Sequence, residues 1–511
     1  MASFKIEIDA LPVDVWIKIF DNIAKLDTDT HPRETLVKTS STCRAFRSLA
    51  LPLMCRTFIY HSFILGPTSS QQIGSQQTMP PSDEIDRELH RLEFFSSEPI
   101  ASYVRHLELL IWPKPTTIIP ETPLDDLDSM WRKFYQVLPQ FRNARSFQSS
   151  YTKFDAFALQ QISRLSQLKL VGLTCCKLLS PTNISLHLHG FRFQDLPSNP
   201  ESMYTPTVNL WLSLLDLNRL EHLCIKLDHD YLLFLPEFSS IGKFNSLISL
   251  EISITTGVLR DLPLLLSKSP RIQSLKLDFW SRKTNEWKQV IEAYELPLIS
   301  PIPYLQDYWG PYELLPFLIG RSTKSQKFRR LYLESLSRPG EDFSVYLQLF
   351  SLSIYSQYLT DLTHFHVKIR SVKYSDLESL CIILTKLQSL SVETLYTSKD
   401  ITPETFLDDL TDIPLSLHIQ SLRLNWTASA SEDIDAKHRG TQAKLASRFP
   451  LLKKIWLCDW KRSAFLWRQS ASGRQTSIVH ETRTQSSFVA ALHAYEENFP
   501  DDLHLSEYLD S

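Results

Sequence analysis

Residues 262–275 read LPLLLSKSPRIQSL, and the order of those letters is the key to the chain. A dense apolar run at helical spacing ends at Ser267-Lys268-Ser269-Pro270, and Ile272-Gln-Ser-Leu275-Lys-Leu277 then alternates apolar and polar. The pattern predicts a helix, a tight turn and a short strand. The same succession recurs in FYQVLPQFRNARSF (134–147), LESLCIILTKLQSL (377–390) and AKLASRFPLLKKIWL (443–457).

The strand half has the form apolar-x-x-apolar-x-apolar. It is found from Val104, Leu165, Leu220, Leu247, Ile272, Phe328, Leu362, Leu387, Ile419 and Leu452. A chain that is 43% apolar matches three fixed apolar positions at about 8% of sites by chance, so the preceding helix and turn carry the argument. Starts at 220, 247 and 272 lie 27 and 25 residues apart, and 362 to 387 is again 25. Helix, turn and strand at that period are the signature of a leucine-rich-repeat array. The Asn or Cys usual after each strand is missing; Trp112, Leu173 and Asp228 stand at such sites. The expectation is an irregular αβ solenoid over residues 84–470, with a Pro- and aromatic-rich insertion near 284–323 and a degenerate repeat or insertion in the 165–220 gap. Residues 471–511 are read as a cap or tail.

Polar side chains between the apolar strand positions share one face. That face is predicted to be concave and to carry His106, Glu108, Lys169, His222, Lys226, Glu251, Lys276, Asp278, Arg330, Tyr332, Glu334, His364, His366, Lys368, Arg423, Asn425, Lys454 and Trp456. Mixed charge with a few aromatics suits a protein-binding surface.

Ahead of the repeats, residues 10–60 read ALPVDVWIKIFDNIAKLDTDTHPRETLVKTSSTCRAFRSLALPLMCRTFIY. A helix opening at Pro12 carries one apolar stripe at Val15, Ile19 and Ile23 and a second at Trp16 and Phe20. A second helix begins at Pro32 and is expected to bury Leu36 and Val37. A third opens near Ser41 or Thr42, carries Cys43, Phe46 and Leu49, and is expected to stop before Pro52. Two stripes on one short module leave a face for a partner.

The order Leu11-Pro12, Val15, Ile19-Phe20, Leu36, Thr42-Cys43-Arg44-Ala45-Phe46-Arg47 and Leu51-Pro52-Leu53 resembles an F-box. Phe46 stands where that family more often has Trp, and the Ala24–Thr30 loop is long and acidic. The phrase Glu98-Pro99-Ile-Ala-Ser-Tyr-Val104-Arg105-His-Leu107 is similar to the start of repeats in fungal members. The resemblance implies a short three-helix F-box at 9–60, a flexible linker at 66–83, and a non-catalytic subunit of a Skp–cullin–F-box ubiquitin ligase. Its partners would be a Skp-type adaptor, through it a cullin, and a target protein held by the repeats. Leu11, Pro12, Val15, Trp16, Ile19, Phe20, Leu36, Cys43 and Phe46 would meet the adaptor. The alternative is a repeat scaffold with no part in ubiquitination.

Other chemistries find little support. Only 11 glycines occur, none closer together than eight residues, which removes the Gly-rich phosphate and nucleophile turns. Seven scattered cysteines show no C-x-x-C and read as reduced thiols. His187-x-His189 and His364-x-His366 lack supporting ligands and read as outward strand histidines rather than a metal site. No cofactor is expected. Net charge of -3 and a pI near 6.6 argue against nucleic acid, even with the basic and Trp-rich 453–468 region. No secretory signal or membrane span is visible, so a cytoplasmic or nuclear location is expected.

Overall fold

The computed structural model describes residues 12–26, 32–63, 82–112, 125–150, 152–179, 183–195, 208–227, 242–254, 256–279, 284–294, 297, 299–320, 327–334, 358–369, 374–394, 418–426, 451–459, 463–469 and 475–481. Leu11, most of the 66–83 linker and residues 482–511 lie outside them. The chain divides into two compact units, Met1–Leu220 and Glu221–Ser511.

The first unit opens with α1 (Val13–Leu26), α2 (Pro32–Ser40) and α3 (Arg44–Met54). The Pro12 carbonyl accepts from Val15 and Trp16, starting α1, and Asp14 sits in its first turn where the helix dipole favours a carboxylate. Cys43, not Ser41 or Thr42, caps α3, its Sγ accepting the Phe46 N–H at 3.4 Å. Contrary to expectation, α3 runs through Pro52. Proline removes one N–H there, but Leu53 and Met54 beyond it pack on the module's core and hold the last turn in place.

Five strands of the first unit form a parallel sheet in the order β1 (Thr57–Phe63), β2 (His106–Trp112), β3 (Ser146–Ser150), β5 (Leu170–Thr174) and β7 (Gly190–Asp195). A small pair, β4 (Lys153–Phe154) with β6 (Lys177–Leu178), lies outside it. The sheet thus begins at Thr57, inside the 9–60 segment and well ahead of residue 84. Aromatic rings run continuously through this core. Phe95 stacks on Phe58, which meets Phe141, while Tyr60, Phe134, Phe147, Phe154 and Trp211 follow one another at 5.1–6.5 Å.

In the second unit β8 (His222–Leu227), β9 (Ser249–Ile254), β10 (Ser274–Phe279), β11 (Asp307–Pro311), β12 (Arg330–Glu334), β13 (His364–Ile369), β14 (Ser389–Thr394), β15 (Ser421–Trp426) and β16 (Lys454–Asp459) pair in parallel. β17 (Ser463–Gln469) and β18 (Gln475–Glu481) close it antiparallel. Its core is aliphatic: Leu223, Leu250, Leu275, Leu331 and Leu390 are all buried at one strand position, and Leu265 and Leu266 of the helix Thr256–Ser267, which contacts β9, are buried too. Each such side chain contributes about 2 kcal/mol on burial.

The 284–323 segment is a repeat rather than an insertion. Leu305-Gln-Asp-Tyr308-Trp-Gly310 places β11 between β10 and β12, with glycine in the third apolar slot. The Tyr308 ring fills that slot and its OH donates to the Pro311 carbonyl at 2.8 Å. A Cβ on Gly310 would stand 2.7 Å from the Tyr308 oxygen. In the 165–220 gap, Leu188-His-Gly-Phe191-Arg-Phe193 supplies β7. The frame at β5 also differs. Leu168-x-x-Val171-x-Leu173 points inward, and the apolar chain fits both that frame and the one begun at Leu165.

One backbone device recurs from β1 to β7 and again from β8 to β15. The Arg56 carbonyl accepts Arg105 N at 2.8 Å and His106 N at 3.0 Å, and the Arg105 carbonyl accepts Arg145 N at 2.7 Å and Ser146 N at 3.2 Å. Arg145 and Lys169 do the same for the strands that follow, as do Glu221, Ile248, Gln273, Gln306, Arg329, Thr363 and Gln388 in the second unit. Each strand is thereby latched to its predecessor just before its first ladder bond.

The open edge of β1 is closed by the helix Ser82–Ser96 (α4). Glu88 accepts the His61 N–H at 3.5 Å, while Arg91 reaches the Glu88 carboxylate at 2.6 Å and the Ile59 carbonyl at 3.1 Å. Edge strands left bare recruit other strands. Glu88→Ala should lower stability by about 2 kcal/mol, because the half-buried Arg91 loses its counter-ion. Urea unfolding followed by circular dichroism checks this, with light scattering reporting self-association. An unchanged midpoint and no association would show that the edge is protected otherwise.

Candidate functional site

The apolar stripes of α1 separate. Trp16 and Phe20 turn inward, their rings 4.8 and 5.5 Å from Phe46, and Phe20 and Leu36 are only 1% and 3% exposed around Ala50. Pro12 is exposed, Val15 is 37% exposed and Ile19 is half-buried, so this stripe faces outward. Val37, expected inside, is 47% exposed because α2 turns Leu36 inward instead. Among the candidate adaptor residues, Trp16, Phe20, Leu36 and Phe46 therefore build the module's interior. Cys43 caps a helix, and Pro12, Val15 and Ile19 form its surface.

The second concentration of chemistry is the polar face of the second unit's sheet. Register places Cys224, Glu251, Lys276, Trp309, Tyr332, His366 and Ser391 in one row across β8 to β14. Contacts run through it without a break. The Cys224 thiol donates to Glu251 at 3.2 Å, and Lys276 Nζ lies 3.0 Å from Glu251 and 4.1 Å from the Trp309 ring centre. Trp309 stacks on Tyr332 at 4.8 Å, Tyr332 on His366 at 5.4 Å, and His366 Nδ1 meets Ser391 Oγ at 2.7 Å. The ring faces are occupied by neighbours, which leaves ring edges and their polar atoms for a ligand.

Beside this row Lys226 bridges Glu251 at 2.9 Å and lies 3.9 Å from Asp278. Burial alone would raise Glu251, but Lys276 and Lys226 outweigh it and hold the carboxyl at about 2. Asp278 is raised by burial, with the Glu251 charge adding to the effect. Arg330 Nε stands 3.7 Å from Asp307, whose carboxyl burial raises. Burial, then Arg330 and Arg329, lower His364 to about 4. His222 is buried, and Glu334 is half-buried at the end of β12. Lys368, Arg423, Asn425, Lys454 and Trp456 occupy register positions in the same rows.

In the first unit His106 and Glu108 project from β2 on the corresponding face, whereas Lys169 precedes β5 because of the shifted frame. His187 lies outside the strands and faces Asp216 at 3.2 Å. Among the described residues no cluster of His, Cys, Asp or Glu has the makings of a metal site. Sequence reading missed Trp309, the centre of the row, because its repeat has Tyr and Gly where Leu was sought. Cys224 and Ser391 were legible by position alone.

No family model matches the sequence, and no curated protein matches it. The chain is similar to a solved structure described as the crystal structure of a TLR13–ssRNA13 complex, at 13% identity and a TM-score of 0.35, over 70% of this chain and 46% of that one. The chain therefore spans less than half the length of that neighbour, and a likeness so distant bears on no function. The fold itself is that of a mixed α/β protein built on parallel sheets. Among the described residues no helix is long and apolar enough to cross a membrane.

Glu251 yields a pH prediction. Its folded carboxyl sits near 2 against an ordinary 4.5, so its stabilisation is complete above pH 4.5 and is lost as pH falls toward 2. Wild type and Glu251→Gln should differ in urea midpoint at pH 6, and the gap should shrink to roughly half or less at pH 3. A gap independent of pH would remove the two lysines as the cause.

Proposed function

We propose that this chain is a non-catalytic substrate receptor of a Skp–cullin–F-box ubiquitin ligase, with an F-box at its start and a leucine-rich-repeat-like solenoid beyond. The observation that carries the reading is the division of α1. Trp16 and Phe20 complete the module's own core, while Pro12, Val15 and Ile19 remain as a surface stripe. A short helix that keeps large apolar residues outside after its core is filled is built for a second protein. The Trp309–Tyr332–His366 row, with charges on both sides, supports a protein target on the sheet. Catalysis on this reading is proximity: the receptor raises the target's effective concentration near an enzyme that other subunits bring. An intracellular setting, cytoplasmic or nuclear, belongs to the same proposal.

Pro12→Ala with Val15→Asp alters only exposed positions. The double variant should keep its circular dichroism and lose at least about tenfold in affinity for a Skp-type adaptor, measured by co-purification and calorimetry. Unaltered adaptor binding, or no binding by the wild type, contradicts the ligase role and leaves the interaction scaffold. For the sheet, Trp309→Ala should reduce target capture by a version lacking residues 9–54 without changing adaptor binding by the full chain. Equal capture by both would move the target elsewhere.

A further inference from the structure

The register latch falls at Arg56, Arg105, Arg145, Lys169 and His189, each just ahead of its strand in the first unit's sheet; the first four accept and the last four donate. Neighbouring strands stand about 4.8 Å apart, so four permanent cations and an imidazole line one edge over about 20 Å. The first four are half-buried and His189 is exposed. Their fields overlap: burial, then Arg56, Arg145 and Arg105, push His106 down to about 4, and Arg145 and Arg56 add to burial in lowering Arg105.

Part of this is structural. Arg105 donates to the Ser102 carbonyl at 3.0 Å, a helix-end contact that a cation suits, and Arg56 and Arg145 make contacts of their own. The repeat itself does not need charge at this position. In the second unit the same place holds Glu221, Ile248, Gln273, Gln306, Thr363, Gln388 and Gln420, with Arg329 and Lys453 separated among them. The turns that lead into the first unit's strands, 54–56, 102–105, 141–145, 164–169 and 183–189, contain no Asp or Glu. A row of like charges that the fold does not require, without acids in its own turns, offers a positive field that anions from outside can meet.

We propose that this edge docks an extended Asp/Glu-rich segment of a partner protein. An extended peptide repeats same-side residues about every 6.7 Å, so about four same-side carboxylates span the roughly 20 Å row and flexible Arg and Lys side chains reach them. The row holds no Phe, Tyr or Trp on which bases could stack, and the chain's net charge is -3; both weigh against a nucleic acid. This holds for any protein-binding role and does not rest on the ligase reading.

The test titrates a fluorescein-labelled ten-residue oligoglutamate into the full chain by fluorescence anisotropy at low ionic strength. Arg145→Gln with Lys169→Gln should weaken binding by about tenfold, and Arg329→Gln with Lys453→Gln should leave it within about twofold. No binding, an equal loss in both variants, or tighter binding of ten-residue oligothymidylate through the same residues overturns the proposal. A second measurement needs no variant. At pH 7, where the oligoglutamate is fully charged, saturating peptide should shift the His106 ring resonances followed by NMR, because it settles against the arginines around that ring. Unmoved resonances place the peptide elsewhere. Adaptor binding is read independently, so failure of one proposal does not mimic failure of the other.

Discussion

A single carbonyl receiving two successive N–H groups from the next strand is the constraint from which the rest of this structure follows. It recurs before β2, β3, β5 and β7 in the first unit and through β9 to β15 in the second. It fixes where each strand starts relative to its neighbour, and a shift of one residue would turn every inward side chain out. With the register pinned, the inner positions can be mostly Leu and Ile in one unit and largely Phe and Tyr in the other. The polar rows on the opposite face stay aligned whatever fills the core.

Much of this was legible in the residues. Leu223-x-Ile225, Leu250-x-Ile252 and Leu275-x-Leu277 alternate as strands must, and a helix and a turn come before most such stretches. Hidden were strands whose inner positions are not aliphatic, Phe58 and Tyr60 in β1 and Tyr308 with Gly310 in β11, while β3, with Phe147 and Ser149 inside, showed only through the helix and turn before it. Ser149 is tolerated inside because its hydroxyl meets Thr152 at 2.6 Å. No pattern of Leu finds such a residue. The missing Asn ladder was visible in the sequence, but its replacement was not, since a main-chain carbonyl has no letter of its own.

The surface was legible in part for the same reason. Once the frames were right, Glu251, Lys276, Tyr332 and His366 fell on one face by parity alone. Their linkage did not, because it passes through Trp309, in a segment that reads as an insertion. In the N-terminal module the letters gave two stripes on α1 but not which would turn inward. That choice was made by Phe46 of α3, against which both Trp16 and Phe20 settle. Four of the nine residues that the sequence groups as one interface thus belong to the interior that supports it.

The latch also sets the limits of evolutionary drift. It asks of the donor positions only an amide hydrogen, so charge, size and polarity there are free to change, and the one residue type it forbids is proline. The chain has 29 prolines, and none occupies a donating position. Side-chain chemistry along that line is therefore unusually open to innovation. A lineage could recolour the whole margin from basic to neutral or acidic while the pitch of the array stayed as it was.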